Sequence, residues 1–179
     1  EIFAALWGWY ESTGRRNQAM TKELLRILAL LDSNGMPAIP YKGPALAVSV
    51  YDDLALREFE DLDILLRPQD VLSAKVLLQA QDYQPLFALK PAMEAAFLRS
   101  TRQYHLVLVH GQSAVMVELH WMTDPEYPVE PTADDQWWAS LETGELGGKE
   151  VRCFSPRELL LILCLHGAKH YWASLGWLV

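Results

Sequence analysis

The sequence predicts a mixed fold of helices and strands, with most of the chain in one domain. Leucines recur at helical spacing between residues 18 and 33. Two β-rich runs, 104–109 and 115–121, flank a turn-like segment and predict a hairpin. Ser155-Pro-Arg-Glu158 is a capping box with proline at the first helical position, and it leads into an apolar run. With 179 residues, of which 51% are hydrophobic, the chain can bury a proper core.

The other elements follow from local patterns. The second helix is expected to stop at Asn34-Gly35, which precedes Pro37. In chain order, the remaining predictions are a helix over 1–13 that ends at Gly14, a strand over 38–42, a turn at Gly43, a helix over 44–51, a strand over 61–66, a helix over 68–81, a loop over 123–136 and a strand over 151–154.

The composition excludes several classes of protein. A net charge of −8 without a Lys/Arg cluster argues against duplex nucleic acid as a partner. Cys153 and Cys164 are not spaced like metal ligands, so a cytoplasmic protein with two small buried cysteines is expected. The longest apolar run, Leu159 to Leu165, is far shorter than a bilayer span, and no membrane association is expected. The chain begins without Met and ends in what looks like continuing structure, which suggests a fragment.

Two aspartates on one strand raise a question of charge. Strand residues alternate between faces, so Asp61 and Asp63 share one face of "DLDILL". Their repulsion is about 3 kcal/mol at a separation of about 5 Å and an effective dielectric near 20. A bound magnesium ion would offset it, because Mg²⁺ prefers oxygen ligands and commonly takes one or two carboxylates plus phosphates. The alternative is that both residues are solvated on an exposed sheet face.

A third acid strengthens the metal hypothesis. Glu118 and His120 share one face of the run 115–121, opposite its apolar residues. If this strand lies beside "DLDILL", Glu118 completes a cluster of three carboxylates. Two metal ions held by such a cluster are a standard device for phosphoryl or nucleotidyl transfer.

These motifs resemble a known family. The order of strand, glycine turn, helix, a strand bearing Asp-hydrophobic-Asp and a later strand with one more acid resembles the nucleotidyltransferase superfamily related to DNA polymerase β. More narrowly, "YKGPALAVSVY", "R-x-x-x-DLDILL", "VELHW" and "LHGAKHYWASLGWL" resemble an uncharacterised bacterial nucleotidyltransferase family. The resemblance runs from about Leu24 to the end of the chain.

The resemblance implies an α+β fold, in which a small mixed sheet is flanked by helices and carries the metal site at its open edge. We expect N-terminal helices over 1–36, a nucleotidyltransferase-like core over 37–154 and a C-terminal helical segment over 155–179. The resemblance also implies that Asp61 and Asp63 bind the catalytic Mg²⁺ ions, for which Mn²⁺ can substitute. Glu118 is then the third carboxylate and helps to activate the attacking hydroxyl.

Nucleotide binding is expected around the glycine turn. Lys42 and Gly43 occupy the place of the superfamily's nucleotide-binding turn, where a glycine lets the backbone approach phosphates. This chain departs from the superfamily pattern, because Pro44 follows Gly43 and sixteen residues separate Pro44 from Asp61. Proline lacks a backbone N–H, so Lys42 and Arg57 are the candidates for binding the triphosphate. A salt bridge from Arg57 to Glu60 or to an aspartate is an equal alternative.

Histidines offer further candidates. His120 could orient a phosphate or base, but a hydrogen bond to the neighbouring carboxylates is favoured. His166 and His170 share a helical face, close to Lys169. A zinc site there is disfavoured, because no four-ligand set is evident. The resemblance implies that Lys169 and His170 contact nucleotide or acceptor, while hydrogen bonds from the histidines to carbonyls at the helix end remain nearly as good an explanation.

Two functions follow. The first is a metal-dependent nucleotidyltransferase that uses a nucleoside triphosphate, transfers its nucleoside monophosphate to a small-molecule or protein acceptor and releases pyrophosphate. The second is a catalytically weak module of the same fold that binds a nucleotide or a partner protein, in the manner of an antitoxin. The three acids favour the first function, and the altered glycine turn favours the second.

Overall fold

A computed structural model describes residues 1–100, 102–127 and 133–173. A five-stranded mixed sheet with the strand order β1-β2-β5-β4-β3 is the centre of the fold, and a separate two-stranded hairpin joins β6 to β7. The elements are α1 (Ile2–Ser33), β1 (Ala38–Pro40), α2 (Gly43–Tyr51), a 3₁₀ helix (Leu54–Leu56), β2 (Asp61–Leu66), α3 (Val71–Gln79), β3 (Tyr83–Pro85), α4 (Pro91–Leu98), β4 (His105–His110), β5 (Met116–His120), α5 (Asp135–Ser140), β6 (Glu142–Leu146), β7 (Lys149–Cys153) and α6 (Pro156–Lys169).

The pairing of β2 determines what lies near its aspartates. β2 is parallel to β5 and antiparallel to β1. In the parallel pair, Asp63 lies opposite Glu118 and Leu65 lies opposite His120. β4 is antiparallel to both β5 and β3, and it forms the predicted hairpin with β5. The sheet is therefore mixed and flanked by helices, as the sequence predicts.

The larger core covers one face of the sheet. Leu62 and Ile64 of β2, together with Leu119 of β5, are completely buried there. Leu24 and Ile27 of α1 are among the residues that cover them. Alternation then directs Asp61, Asp63, Glu118 and His120 to the opposite face.

A smaller core covers part of that opposite face. Leu65 of β2 and Ile39 of β1 pack with Phe154 and with Ile162 of α6. The capping box predicted at the start of α6 is present, because Ser155 and Glu158 exchange side-chain and backbone hydrogen bonds. α6 is thus held on the face of the sheet that carries the acids.

Three local predictions were wrong. The two cysteines are not buried as expected, since Cys153 is only partly buried and Cys164 is exposed. Gly14 does not end a helix, since α1 is continuous from residue 2 to residue 33. An interior glycine costs a helix only about 1 kcal/mol, and a Cβ at this position would lie 3.3 Å from the Cβ of Ala55, so the glycine allows close packing against the 3₁₀ helix. The loop predicted over 123–136 contains the start of α5, and its residues 128–132 lie outside the described residues.

None of the helices in the described parts of the chain is both long enough and apolar enough to cross a membrane.

Candidate active site

The three predicted acids meet on one face of the sheet. Asp61 and Asp63 lie on β2, and Glu118 lies on the adjacent β5, opposite Asp63. The adjacency of the two strands, on which the three-carboxylate hypothesis depended, is therefore present. Asp63 is only 3% exposed, and Asp61 and Glu118 are half-buried. Asp63 is thus not the solvated surface residue of the alternative explanation.

The groups around Asp63 stabilise the ionised form of its carboxyl group. Lys42 Nζ donates a hydrogen bond of 2.7 Å to Asp63 Oδ1, and His120 Nε2 lies 3.1 Å from the same oxygen. Burial disfavours the charged carboxylate, but the positive charge of Lys42 and the contact with His120 outweigh it and hold the pKa of Asp63 well below its usual range. Burial likewise opposes the charge of Lys42, while Asp63 and the two other acids raise its pKa.

Asp61 has the opposite electrostatic environment. Burial, reinforced by the negative charges of Asp63 and Glu118, raises the pKa of Asp61 to about 6. The two aspartates of the motif therefore differ. Asp63 has a direct cationic partner, whereas the negative charges around Asp61 are not balanced by one. A divalent cation between them would supply that charge.

Glu118 is held by histidines. Its Oε2 lies 3.1 Å from His120 Nε2, and its Oε1 lies 3.8 Å from His105 Nε2. Burial acts to raise the pKa of Glu118, but the hydrogen bond and charge of His120, together with His105, lower it. The favoured prediction for His120, a hydrogen bond to the carboxylates, matches this geometry.

His105 is a site residue that was not predicted from the sequence. It lies opposite His120 across the β4–β5 hairpin. Its position could have been predicted from the sequence. The place of the turn between β4 and β5 sets the register of the hairpin, and that register puts residue 105 opposite residue 120.

Arg57 lies beside the aspartates without a partner. Its Nε and Nη1 atoms are buried and have no hydrogen-bond partner among the described residues, which also offer it no ion pair. Burial lowers the pKa of Arg57, and attraction to Tyr51, Asp63 and Asp61 opposes that effect. The predicted alternative of a salt bridge to Glu60 or an aspartate is therefore wrong for this structure. A buried guanidinium with unmet donors suits an anionic ligand.

The glycine turn brings a helix end close to the start of β2. Gly43 begins α2 with φ of +49°, and a Cβ at this position would lie 3.1 Å from the carbonyl oxygen of Asp61. Both the backbone angle and the close approach explain why glycine occupies the position. Lys42 precedes it as the N-cap residue, and Pro44 lies in the first turn, where its missing N–H costs nothing to the helix.

The last turn of α6 reaches the same face. Burial, reinforced by the positive charges of Lys42 and His170, lowers the pKa of His166 to about 3. Lys169 Nζ donates a 2.6 Å hydrogen bond to Tyr104 Oη, and His170 follows α6 as its C-cap residue, with its ring 4.7 Å from that of His166. Contact of Lys169 and His170 with nucleotide or acceptor stays a prediction.

A cavity of about 570 Å³ lies next to these groups. Tyr41 connects the two regions, since it lines the cavity and its ring lies 5.4 Å from that of His120. The cavity is bounded by α2, α6 and the β6–β7 hairpin, with mainly apolar residues and the acidic residues Glu142 and Glu145 in its lining.

The sheet, its flanking helices and the Asp-x-Asp strand beside a third acid match the architecture expected of a nucleotidyltransferase. The chain belongs to the family described as uncharacterised nucleotidyltransferase, whose model matches residues 1–179. No curated protein sequence matches the chain significantly.

Solved structures of antibiotic nucleotidyltransferases share the fold. The solution structure of the antibiotic-resistance factor ANT(2'')-Ia has a TM-score of 0.58 and 14% identity, and the match covers 86% of this chain and 74% of that one. The lincomycin-bound lincosamide antibiotic adenylyltransferase LnuA has a TM-score of 0.53 and 18% identity, with coverage of 78% and 83%. ANT(2'')-Ia in complex with adenylyl-2''-tobramycin gives 0.54 and 14%, with coverage of 84% and 78%.

Proposed function

We propose that the protein is a divalent-metal-dependent enzyme that transfers a nucleoside monophosphate from a nucleoside triphosphate to an acceptor. The acceptor's nucleophilic oxygen forms a bond to the α-phosphorus, the bond from that phosphorus to the bridging oxygen breaks, and pyrophosphate leaves. The observation that carries the proposal is the meeting of Asp61, Asp63 and Glu118 on one sheet face, near Arg57, whose Nε and Nη1 have no hydrogen-bond partner among the described residues.

The donor set fits Mg²⁺ or Mn²⁺. Asp61, Asp63 and Glu118 offer carboxylate oxygens, and Asp61 lacks the direct cationic partner that Asp63 has. When bound, the metal neutralises charge on the attacking and leaving oxygens of the phosphoryl group. Lys42 and His120 keep Asp63 ionised and fix its orientation. Glu118, which contacts His120, is the acid that we expect to accept the proton of the attacking hydroxyl.

The phosphates are expected to lie between Arg57 and the start of α2. Arg57 has buried donors that a phosphate would satisfy. The N-terminus of α2 adds partial positive charge, although Pro44 contributes no donor there. Arg57 therefore takes the larger part of phosphate binding in this chain.

A small molecule is the favoured acceptor, and a protein side chain is the alternative. The cavity beside Tyr41 has a size typical of small-molecule sites and a mainly apolar lining. The similar structures LnuA, bound to lincomycin, and ANT(2'')-Ia, bound to adenylyl-2''-tobramycin, have small-molecule ligands. The acidic pair Glu142 and Glu145 in the lining favours an acceptor that carries positive charge.

The test combines calorimetry with a pyrophosphate assay. Each nucleoside triphosphate is titrated into the protein with and without Mg²⁺, and pyrophosphate release is followed in the presence of candidate acceptors. We expect metal-dependent binding and turnover, and both should be lost in Asp61→Asn and Asp63→Asn. Asp32→Asn, at an aspartate whose side chain is 70% exposed on α1, is the matched control and should behave as the parent.

A catalytically weak nucleotide-binding module is the second candidate. The ion pair between Lys42 and Asp63 favours it, because a lysine already occupies one carboxylate of the motif. Nucleotide binding that needs no metal and releases no pyrophosphate would establish this module and refute the enzyme.

A further inference from the structure

Two histidines and a glutamate meet beside the aspartates of the site. His105 on β4 lies opposite His120 on β5, and Glu118 precedes His120 by two residues, so the three side chains share one face. One ligand atom from each of the three lies within 4.8 Å of the other two. Neither histidine belongs to the carboxylate set proposed above for Mg²⁺.

The separations of these atoms fit a cation bound between them. His120 Nε2 lies 3.1 Å from Glu118 Oε2, and His105 Nε2 lies 3.8 Å from Glu118 Oε1. Ligand atoms at the usual distances from a tetrahedral zinc ion lie about 3.3 Å from one another. The two observed separations, one to each oxygen of Glu118, fall on either side of this value.

His120 is the most buried member of this cluster and is shared between two carboxylates. Its Nε2 lies 3.1 Å from both Asp63 Oδ1 and Glu118 Oε2, so a single proton on that nitrogen would have to be shared by two acceptors. His120 is 1% exposed, and its Nδ1 has no hydrogen-bond partner within the described parts of the chain. A cation held by His105, Glu118 and His120 would use the lone pair of that nitrogen instead of a shared proton.

The donor set selects the class of metal. Imidazole nitrogen suits Zn²⁺ and its neighbours among the transition metals, whereas Mg²⁺ prefers an all-oxygen set. Two histidines and one carboxylate with an open position are typical of catalytic zinc sites. We propose that His105, Glu118 and His120 form a binding site for a divalent transition metal such as Zn²⁺, which Mg²⁺ does not fill. Glu118 then belongs both to this site and to the carboxylate set.

Cobalt is a suitable probe, because its visible absorption reports the ligands. The protein is titrated with Co²⁺, followed by absorption and calorimetry, and then challenged with Mg²⁺ or Zn²⁺. We expect one tightly bound Co²⁺ that Zn²⁺ displaces and that an excess of Mg²⁺ of about 1,000-fold does not. His105→Gln should weaken Co²⁺ binding by about tenfold or more. His110→Gln is the matched control, because His110 lies on the same strand about 16 Å away and should leave binding unchanged.

Three results overturn the proposal: no binding of Co²⁺ by the parent, equal Co²⁺ affinity in His105→Gln and the parent, or displacement of Co²⁺ by Mg²⁺ at that excess. Asp61→Asn separates this inference from the proposed function, since it should lose metal-dependent nucleotide binding but keep the Co²⁺ spectrum. Pyrophosphate release by a protein that binds no Co²⁺ would refute only the histidine site. Co²⁺ binding without nucleotide turnover would refute only the enzyme.

Discussion

Asp63 is almost completely removed from water, so its charge depends on the groups beside it. Lys42 is its direct ionic partner, and the side chain of Lys42 is itself only 14% exposed. Removing one member of a buried ion pair leaves the other charge uncompensated, which costs more than the intact pair contributes. Arg57 differs, because the part of the chain that the structure describes gives its buried Nε and Nη1 no partner to lose.

These two cations should respond differently to substitution. Lys42→Met should lower the free energy of unfolding by about 3 kcal/mol, since it leaves Asp63 buried and unpaired except for His120. Lys42→Met combined with Asp63→Asn should lower the free energy of unfolding by less than Lys42→Met alone, because the uncompensated carboxylate is removed.

Arg57→Gln should change stability by less than about 1 kcal/mol while it weakens nucleotide binding. Urea unfolding and calorimetry measure both quantities.

The exposed Lys22 on α1 provides the control, and Lys22→Met should be close to neutral. Added Mg²⁺ should restore part of the stability of Lys42→Met, because a bound cation supplies the missing charge and binds only the folded state. If Lys42→Met were as stable as Lys22→Met, the ion pair would not maintain the charge of Asp63.

Between elements, α1 is joined to the far edge of the sheet by a polar contact. The buried Tyr83 on β3 donates a 2.7 Å hydrogen bond from its Oη to Glu23 Oε1, and Arg26 Nε donates a 3.0 Å bond to Glu23 Oε2. The hydrogen bond from Arg26 lowers the pKa of Glu23; burial opposes this, and the Tyr83 hydrogen bond adds to the lowering. The ionised form of Glu23 therefore stabilises the folded state.

The pH dependence of this contact has a definite sign. A carboxylate whose pKa is lowered by folding stabilises the protein above its unfolded pKa, and that contribution disappears as the pH falls through the folded pKa. Glu23→Gln should therefore cost about 1 kcal/mol at pH 7 and less at pH 3. Chemical unfolding at both pH values measures the difference. Glu11→Gln, at an exposed position of the same helix, should show no such dependence, and an equal loss for Glu23→Gln at both pH values would contradict the assignment.

The strands of the site could be predicted because their pattern is local. Alternation within residues 61–66 and 115–121 assigns the acids to one face and the apolar residues to the other, and the structure has both strands. The capping box of α6 is equally local. The short strand β3 and the helix α4 were missed, because neither has a clear period or a marked boundary.

The tertiary features of the site needed coordinates. The continuity of α1 through Gly14 depends on packing against Ala55, which is remote in sequence. The unpaired state of Arg57 depends on what surrounds it in space, and no sequence pattern reports this. The contribution of His105 lies between these cases, since it follows from hairpin register rather than from a motif.

In the molecule as a whole, the two faces of the sheet are stabilised unequally. The extensive core around Leu24, Ile27 and Leu62 fixes α1 to one face. α6 is fixed to the other face by the smaller cluster around Ile162, and several of its apolar residues, including Leu160 and Leu161, are exposed. Elements with few buried apolar contacts open more readily than the core, and these elements commonly cover binding sites.

Hydrogen exchange should reveal this difference and connect it to the site. Amides of α6 should exchange sooner than those of residues 20–31 of α1, because less apolar burial opposes local opening of α6. Since Lys169 at the end of α6 bonds to Tyr104, whose ring lies beside His120, Mg²⁺ with a nucleoside triphosphate should slow exchange in the last turns of α6. Asp61→Asn should abolish that slowing and leave exchange in α1 unchanged. Exchange in α6 as slow as in residues 20–31 would contradict the unequal stabilisation of the two faces. Slowing that persists in Asp61→Asn would show that α6 does not respond to the proposed metal and nucleotide site.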